Sequence, residues 1–220
     1  MPSPSGNKTK SSRHGDEKLF LVIVLALAAI AGLGSWFAAG ALKRHDDIRA
    51  IAPDQPRRLE NFSLTDESGN NVTRDAVRGK ILAVSFLFTS CSLTCPEVTK
   101  RMAEIQSLTG TNDDVRLLSL TVDPRTDTPP VLAKWGARFG ADTNRWFLLT
   151  GDKAQLLRLI GASFLATETN NPFNSMPGNF AGTERIAVVD KHGNVRAYFD
   201  GLRVGTPPAV VAEITKLQKE

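Results

Sequence analysis

From residue 59 onward, short apolar runs alternate with stretches of helical period. Residues 81–88 (Ile-Leu-Ala-Val-Ser-Phe-Leu-Phe) are almost continuously apolar, the pattern of a central strand covered on both faces. Residues 96 to about 108 carry Val98, Met102, Ile105 and Leu108 at helical spacing. A second strand is predicted over 115–122, and a second helix over 130–139 with Pro129 and Pro130 near its start, where proline is tolerated. Residues 146–149 form a short extended piece, and Asp152 is placed to cap a helix through about 160. Residues 185–190 and 195–199 bracket Lys191-His192-Gly193-Asn194, a hairpin signal, and 207–217 predict a closing helix. Upstream, Phe62-Ser63-Leu64 and Val72-Thr73 flank the turn-rich stretch 66–71, which predicts a small hairpin.

Between these elements, residues 162–183 have no clear period and contain Asn170, Asn171, Pro172, Asn174, Pro177 and Gly178. Loops this long inside a domain are often functional. Strand, helix, strand, then a hairpin and a helix is the order of a thioredoxin-like α/β fold, with a central mixed sheet flanked by helices.

The N-terminal 58 residues follow a different pattern. Residues 19–42 hold no charge and are bounded by Lys18 and by Lys43-Arg44. As a helix they cover about 36 Å, enough to cross a bilayer with some tilt. Trp36 and Phe37 near one end suit the headgroup level. The small residues Ala38-Ala39-Gly40-Ala41 also fit a cleaved signal peptide, but the apolar run exceeds an ordinary signal core, so a retained anchor is expected. The division is then a disordered cytoplasmic tail (1–18), a transmembrane helix (19–42), a linker (43–57) and a globular domain (58–220). Basic residues number four in the 18 positions before the span and five in the 18 after it, so charge alone does not set its orientation. An anchor with the long domain translocated is allowed.

Charge otherwise changes little. Lys8, Lys10, Arg13 and Lys18 against Asp16 and Glu17 give the tail +2 of the chain's net +4, and the other +2 is spread along its length. No run of clustered basic residues interleaved with aromatics marks a nucleic-acid surface.

The only two cysteines, Cys91 and Cys95, lie in Phe88-Thr89-Ser90-Cys91-Ser92-Leu93-Thr94-Cys95-Pro96, where the first long strand turns into a helix. Two sulfurs one helical turn apart can form a reversible disulfide or hold a soft metal. As a structural staple they would close too short a loop to remove much entropy from the unfolded chain. Backbone N–H groups at a helix N-terminus favour a thiolate, so Cys91 is expected to attack and Cys95 to resolve. Thiolates also suit Cu(I). None of the three histidines is an obvious third ligand: His14 lies in the tail, His45 just past the span and His192 at the tip of a hairpin. Met176, in the long loop, is a candidate substitute ligand through its thioether. The carboxylates of Asp123-Pro124-Arg125-Thr126-Asp127-Thr128-Pro129 follow the second strand, where turn and cap chemistry is the favoured reading over cation binding.

Phe86-Leu87-Phe88-Thr89-Ser90-Cys91-Ser92-Leu93-Thr94-Cys95-Pro96 resembles the F-x-F-T-x-C-x-x-x-C-P motif of the Sco/SenC family. Leu118-Ser119-Leu120-Thr121-Val122-Asp123-Pro124-Arg125-Thr126-Asp127-Thr128-Pro129 is similar to its S-V-D-P-x-x-D-T-P segment, and Leu149-Thr150-Gly151 to its L-T-G. The resemblance implies a single-pass protein of the inner (cytoplasmic) membrane, with a thioredoxin-like domain facing the periplasm or an equivalent space. It implies help in building the copper centre of cytochrome c oxidase, by passing copper to an acceptor such as its subunit II, by reducing that acceptor's cysteines, or both. The family's copper site adds a histidine to the two cysteines; here Gly182 stands at that position, in Gly182-Thr183-Glu184-Arg185-Ile186-Ala187-Val188-Val189-Asp190. A site without the imidazole should hold copper less well, Cu(II) more so than Cu(I), with Met176 or Glu184 as possible replacements. Three readings follow: a copper-binding assembly factor, a thiol–disulfide oxidoreductase acting on partner cysteines, and a docking module without chemistry.

Overall fold

The computed structural model describes residues 50–53, 55–164 and 184–220. The expected tail, the transmembrane helix, His14, His45, Met176 and Gly182 therefore lie outside the described residues. Among the described residues no helix is long and apolar enough to cross a membrane.

A small antiparallel hairpin opens the domain, β1 (Ser63–Thr65) and β2 (Asn71–Thr73), followed by a 3-10 turn at Arg74–Val77. Then come β3 (Ile81–Leu87), α1 (Thr94–Thr109), β4 (Val115–Thr121), α2 (Pro129–Arg138), β5 (Trp146–Leu149), α3 (Lys153–Phe164), β6 (Arg185–Val189), β7 (Val195–Asp200) and α4 (Thr206–Leu217). The five-stranded sheet has the order β5-β4-β3-β6-β7. Strands β3, β4 and β5 are parallel, and β6 and β7 return antiparallel. This is the expected mixed, thioredoxin-like core flanked by helices.

Alternation along β3 sorts its side chains to two cores. Leu82, Val84 and Phe86 face the hairpin and α3, packing with Leu64, Val72, Leu156 and Ile160. Ile81, Ala83 and Leu87 face the other layer, with Val98, Met102 and Ile105 of α1, Leu132 and Trp135 of α2, and Val210 and Ile214 of α4. Polar groups inside the sheet are matched: the Ser85 and Ser119 hydroxyls share a hydrogen bond of 2.8 Å, and the Trp146 indole donates to Ser119 at 2.9 Å.

The sheet edges are covered. Residue Ile51, assigned to the linker by sequence, exchanges backbone hydrogen bonds with Tyr198 of β7 at 2.9 and 2.8 Å. On the opposite edge Thr65 does the same with Thr150, and the Leu148 N–H donates to Glu67 Oε2 at 2.9 Å. Burial pushes the Glu67 carboxyl above its ordinary value, against the lowering effect of that bond. Unpaired edge groups invite intermolecular pairing, so these contacts protect the fold.

The structure extends the sequence reading at one strand and moves the ends of two helices. The piece at 146–149 is a full member of the sheet, pairing Leu117↔Trp146 through Leu120↔Leu149. Helix α1 begins at Thr94 instead of Pro96. Helix α3 stays helical through Phe164, beyond 160, because the Phe164 ring meets Phe86 edge-on at 5.4 Å and its carbonyl accepts the Tyr198 hydroxyl at 2.7 Å. Asp152 caps this helix as expected, accepting the Gln155 N–H at 2.9 Å.

Candidate functional site

Parallel pairing of Leu87 with Thr121 ends β3 and β4 at the same level, so the loops that follow leave side by side. Ligands of open α/β sheets bind at such carboxyl ends. The ladder is extended by Val122 N–H donating to the Leu87 carbonyl at 2.9 Å. The chain then turns at residues 88–91, closed by the Cys91 N–H on the Phe88 carbonyl at 3.1 Å.

Both cysteines are free thiols and share this end of the sheet. Cys91 is partly exposed; Cys95, in the first turn of α1, is buried. Leu93, the residue flanking α1, supplies no side-chain cap. Cys91 Sγ takes that place, accepting the Cys95 N–H at 3.3 Å. The N–H groups of a helix's first turn lack intrahelical partners, so this sulfur satisfies one that would otherwise need water. Pro96 follows at the third helical position, where its missing N–H costs nothing, and this is why the helix starts ahead of it.

Electrostatics divide the pair. Burial pushes the Cys91 thiol up, but bonds to the charged form outweigh it: the Thr94 hydroxyl, the Cys95 N–H, the Cys95 thiol and the Leu93 N–H bring it down to about 7 from an ordinary 9.0. Its Sγ lies 3.5 Å from Thr94 Oγ1. Cys95 goes the other way. Burial, and the proton it donates to Cys91, push it up to about 12. The pair is therefore one accessible thiolate near neutral pH beside one buried thiol. An attacking role for Cys91 with Cys95 resolving, expected from the sequence, calls for such an asymmetry.

Neighbouring buried polar groups hold the pair in place. Asp127 is fully buried. It accepts the Thr89 N–H at 3.1 and 3.2 Å and the hydroxyls of Thr89 and Thr121. It thus ties the cysteine loop to the end of β4, a bond across two loops where turn and cap chemistry was the favoured reading. On the far side of Cys95, Thr99 donates its hydroxyl to the Cys95 carbonyl at 2.7 Å and accepts the Trp135 indole N–H at 3.2 Å, pinning the first turn of α1 against α2. The spacing of Thr99 four residues after Cys95 is visible in the sequence, but its indole partner is not.

Glu184 reaches the same end of the sheet, since the antiparallel register Ser85↔Ile186 carries the start of β6 toward the thiols. His192 sits in the β6–β7 turn at the other end and is exposed. Among the described residues no group of three or more His, Cys, Asp or Glu could hold a metal ion. What the described part of the site offers is a two-sulfur donor set, which suits a soft, low-coordinate ion such as Cu(I).

Exposed apolar side chains lie at this end of the sheet. Leu93 is 79% exposed. The turn after β7, whose Gly201 lies so near Val98, one turn beyond Cys95, that an added Cβ would meet that side chain at 3.1 Å, exposes Leu202 and Val204.

Comparison with known proteins agrees with this architecture. The SCO1 protein homolog of Bacillus subtilis is 35% identical over 94 residues, covering 42% of this chain and 49% of that protein, so the match spans about half of the relative's length. The solved structure of BsSco, described as having a disulfide switch and as a member of the Sco family of cytochrome c oxidase assembly proteins, superposes with a TM-score of 0.63 at 23% identity, covering 77% of this chain and 98% of that one. Bradyrhizobium japonicum ScoI, solved with copper bound, gives 0.58 at 24% identity, covering 73% and 99%. The SCO1/SenC family model matches residues 52–219, nearly all of the described domain, and the chain belongs to that family.

Proposed function

We propose that this domain is the extracytoplasmic part of a membrane-tethered assembly factor that takes up Cu(I) on Cys91 and Cys95 and passes it to a copper-accepting protein such as cytochrome c oxidase subunit II. The observation that carries this reading is the asymmetric sulfur pair: Cys91 Sγ bonded to the Cys95 N–H at 3.3 Å, with its thiol lowered to about 7. Copper is cargo here. A partly exposed thiolate can receive the ion by ligand exchange, and Cys95 joins by giving up its proton to solvent as the metal binds. A two-sulfur site open on one side binds firmly enough to load and leaves a position for the acceptor's own sulfur. The exposed Leu93, Leu202 and Val204 would then meet the acceptor around the exchange point.

The same asymmetry favours a second reading, thiol–disulfide exchange. The Cys91 thiolate attacks one sulfur of a partner disulfide, forming a mixed disulfide and releasing the partner's other sulfur as thiolate. Cys95 passes its proton to that leaving thiolate and attacks Cys91 Sγ. The Cys91–Cys95 disulfide closes and the second partner sulfur leaves. The partner gains two electrons and the pair loses two. Bonds to copper and to disulfides appear in the descriptions of the two structural relatives above, and each chemistry needs only the two sulfurs.

Anaerobic titration of the reduced chain with Cu(I), beside its exchange with glutathione disulfide, tests the choice. Cu(I) binding at one equivalent that disappears in Cys91→Ser supports delivery. Exchange without Cu(I) binding transfers the conclusion to the oxidoreductase. Failure of both leaves a docking module. Replacing Gly182 with His should strengthen Cu(II) binding by restoring an imidazole donor; unchanged Cu(II) affinity would remove Gly182 from the site.

A further inference from the structure

At the opposite end of β3 from the thiols, about 20 Å away along a seven-residue strand, lies a cavity of about 360 Å³. It is lined by Arg58, Arg74, Arg78, Lys80 and Lys191, with His192 in the same wall. These residues come from three stretches of the chain, at 58, at 74–80 and at 191–192. The floor is aliphatic: Leu59, Val77 and Leu82 are buried beneath it.

Two acids lie close by, and both are engaged. Asp190 lines the cavity but accepts the N–H groups of His192 and Asn194 at 2.9 and 2.8 Å, the Asn194 amide at 3.1 Å, and Arg196 Nη1 at 3.3 Å. Asp75 pairs with Arg78 in a bridge whose side chains are both well exposed, so it is weakly held and screened. Among the described residues Arg58, Arg74, Lys80 and Lys191 have no carboxylate partner in an ion pair, leaving four uncompensated cations around one cavity.

Two of those cations are held in place. Arg58 Nη2 donates to the His192 carbonyl at 3.3 Å, and Arg74 Nη1 to Asn61 Oδ1 at 3.3 Å. Arg74 also packs over Gly193, in the β6–β7 turn. A Cβ there would meet Arg74 Nη2 at 2.9 Å, and the residue's φ of +87° already favours glycine. Guanidinium forks fixed by neutral acceptors keep other N–H groups for a ligand and lower the ordering cost of binding.

We propose that this cavity is a binding site for a phosphate-type polyanion, a diphosphate or a glycerophosphate headgroup, independent of the dithiol. A single carboxylate would leave most of the cationic charge unmatched, whereas a doubly charged phosphate takes bidentate bonds from both arginines and point contacts from both lysines. The volume is in the range of small-ligand sites and exceeds one phosphate. The aliphatic floor beneath a cationic rim suits a phosphate ester, and among the described residues no Phe, Tyr or Trp lines the cavity for a base to stack upon.

The source of the phosphate, soluble or in a lipid, is read by protecting lysines from acetylation in the full chain held in dodecyl maltoside. Sodium pyrophosphate, or phosphatidylglycerol mixed into the micelle, is added, and modification of Lys80 and Lys191 is followed by mass spectrometry. Lys134, exposed on α2 and away from the cavity lining, is the reference. The expected result is slowing by about threefold at both cavity lysines once two-thirds of the sites are filled, with Lys134 unchanged, and loss of the effect in Arg58→Gln/Arg74→Gln. Protection by pyrophosphate alone assigns a soluble ligand; protection by phosphatidylglycerol alone assigns a headgroup; protection by each assigns the shared phosphate chemistry. No protection in either arm, or protection that persists in the double variant, overturns the site. The Cys91 alkylation rate should be the same in all arms.

Discussion

The two ends of β3 use different means to gather reactive groups. At the carboxyl end, the sulfurs come from residues four apart, and the helix start between them supplies the bonds that lower Cys91, the Thr94 hydroxyl first and then the Cys95 N–H. Beside it the buried Asp127, its oxygens all occupied, holds the loop in place. At the amino end, the cations come from three stretches, at 58, at 74–80 and at 191, which the fold brings to one cavity. The first end changes reactivity by local bonding to one atom. The second creates a field by summing charges that are remote in the chain. Local motifs can therefore be read from sequence, and summed fields cannot.

Perturbations should separate the ends. The largest effect is expected at the sulfur end: Cys91→Ser removes Cu(I) binding and glutathione exchange altogether, while pyrophosphate still protects Lys80. Coupled loss of both would show that the two ends are one site. Next is Asp127→Ala, which strands the Thr89 and Thr121 donors in the interior. It should lower the free energy of unfolding by about 3 kcal/mol, near the top of the range for losing buried hydrogen bonds to a charged group, and it should also speed alkylation of Cys95 as the loop loosens. Urea unfolding and mass mapping of alkylated cysteines measure the two. An unchanged midpoint would reduce Asp127 to an incidental contact.

The pH dependence follows from the split pair. Alkylation of Cys91 should be half-maximal near pH 7, with Cys95 still protected at pH 9. Because the Cys91 value is depressed in the fold, its ionisation contributes stability above the unfolded value of 9.0, and this contribution is lost as pH falls through about 7. Thr94→Ala should move the alkylation midpoint upward, since it removes the largest of the bonds that lower it. A midpoint left at 7 would place the effect on the backbone alone. Thr99→Val is smaller: it leaves the Trp135 N–H without its acceptor and should cost about 1–2 kcal/mol in thermal or urea unfolding. Smallest is Lys80→Gln, a surface change expected to alter stability by less than about 0.5 kcal/mol while weakening pyrophosphate binding and leaving the Cys91 midpoint in place.

Much of the fold was legible because period and punctuation are local. The unbroken apolar run at β3, the His192-Gly193 turn between β6 and β7, and Asp152 before α3 each declare an element within a few residues. Where the structure went beyond the sequence reading, the reason was mostly tertiary. Phe164 is held in α3 by Phe86 and Tyr198, and 146–149 becomes a strand only by pairing with β4. In the site, the reactive pair was visible as a motif, whereas its supports were not. Asp127 lies 38 residues from Thr89, and Trp135 lies 36 from Thr99.

By itself the sequence determined the identity and order of the elements, the placing of two sulfurs at a strand-to-helix turn, and through its motifs the family. These rest on covalent neighbours, whose spacing fixes what shares a turn or a face. The tertiary structure alone decided which sulfur is buried, which carboxylate anchors the loop, and which scattered cations surround one cavity. Strand register sets those relations, because it brings distant residues to the same level of the sheet and excludes water from some of them.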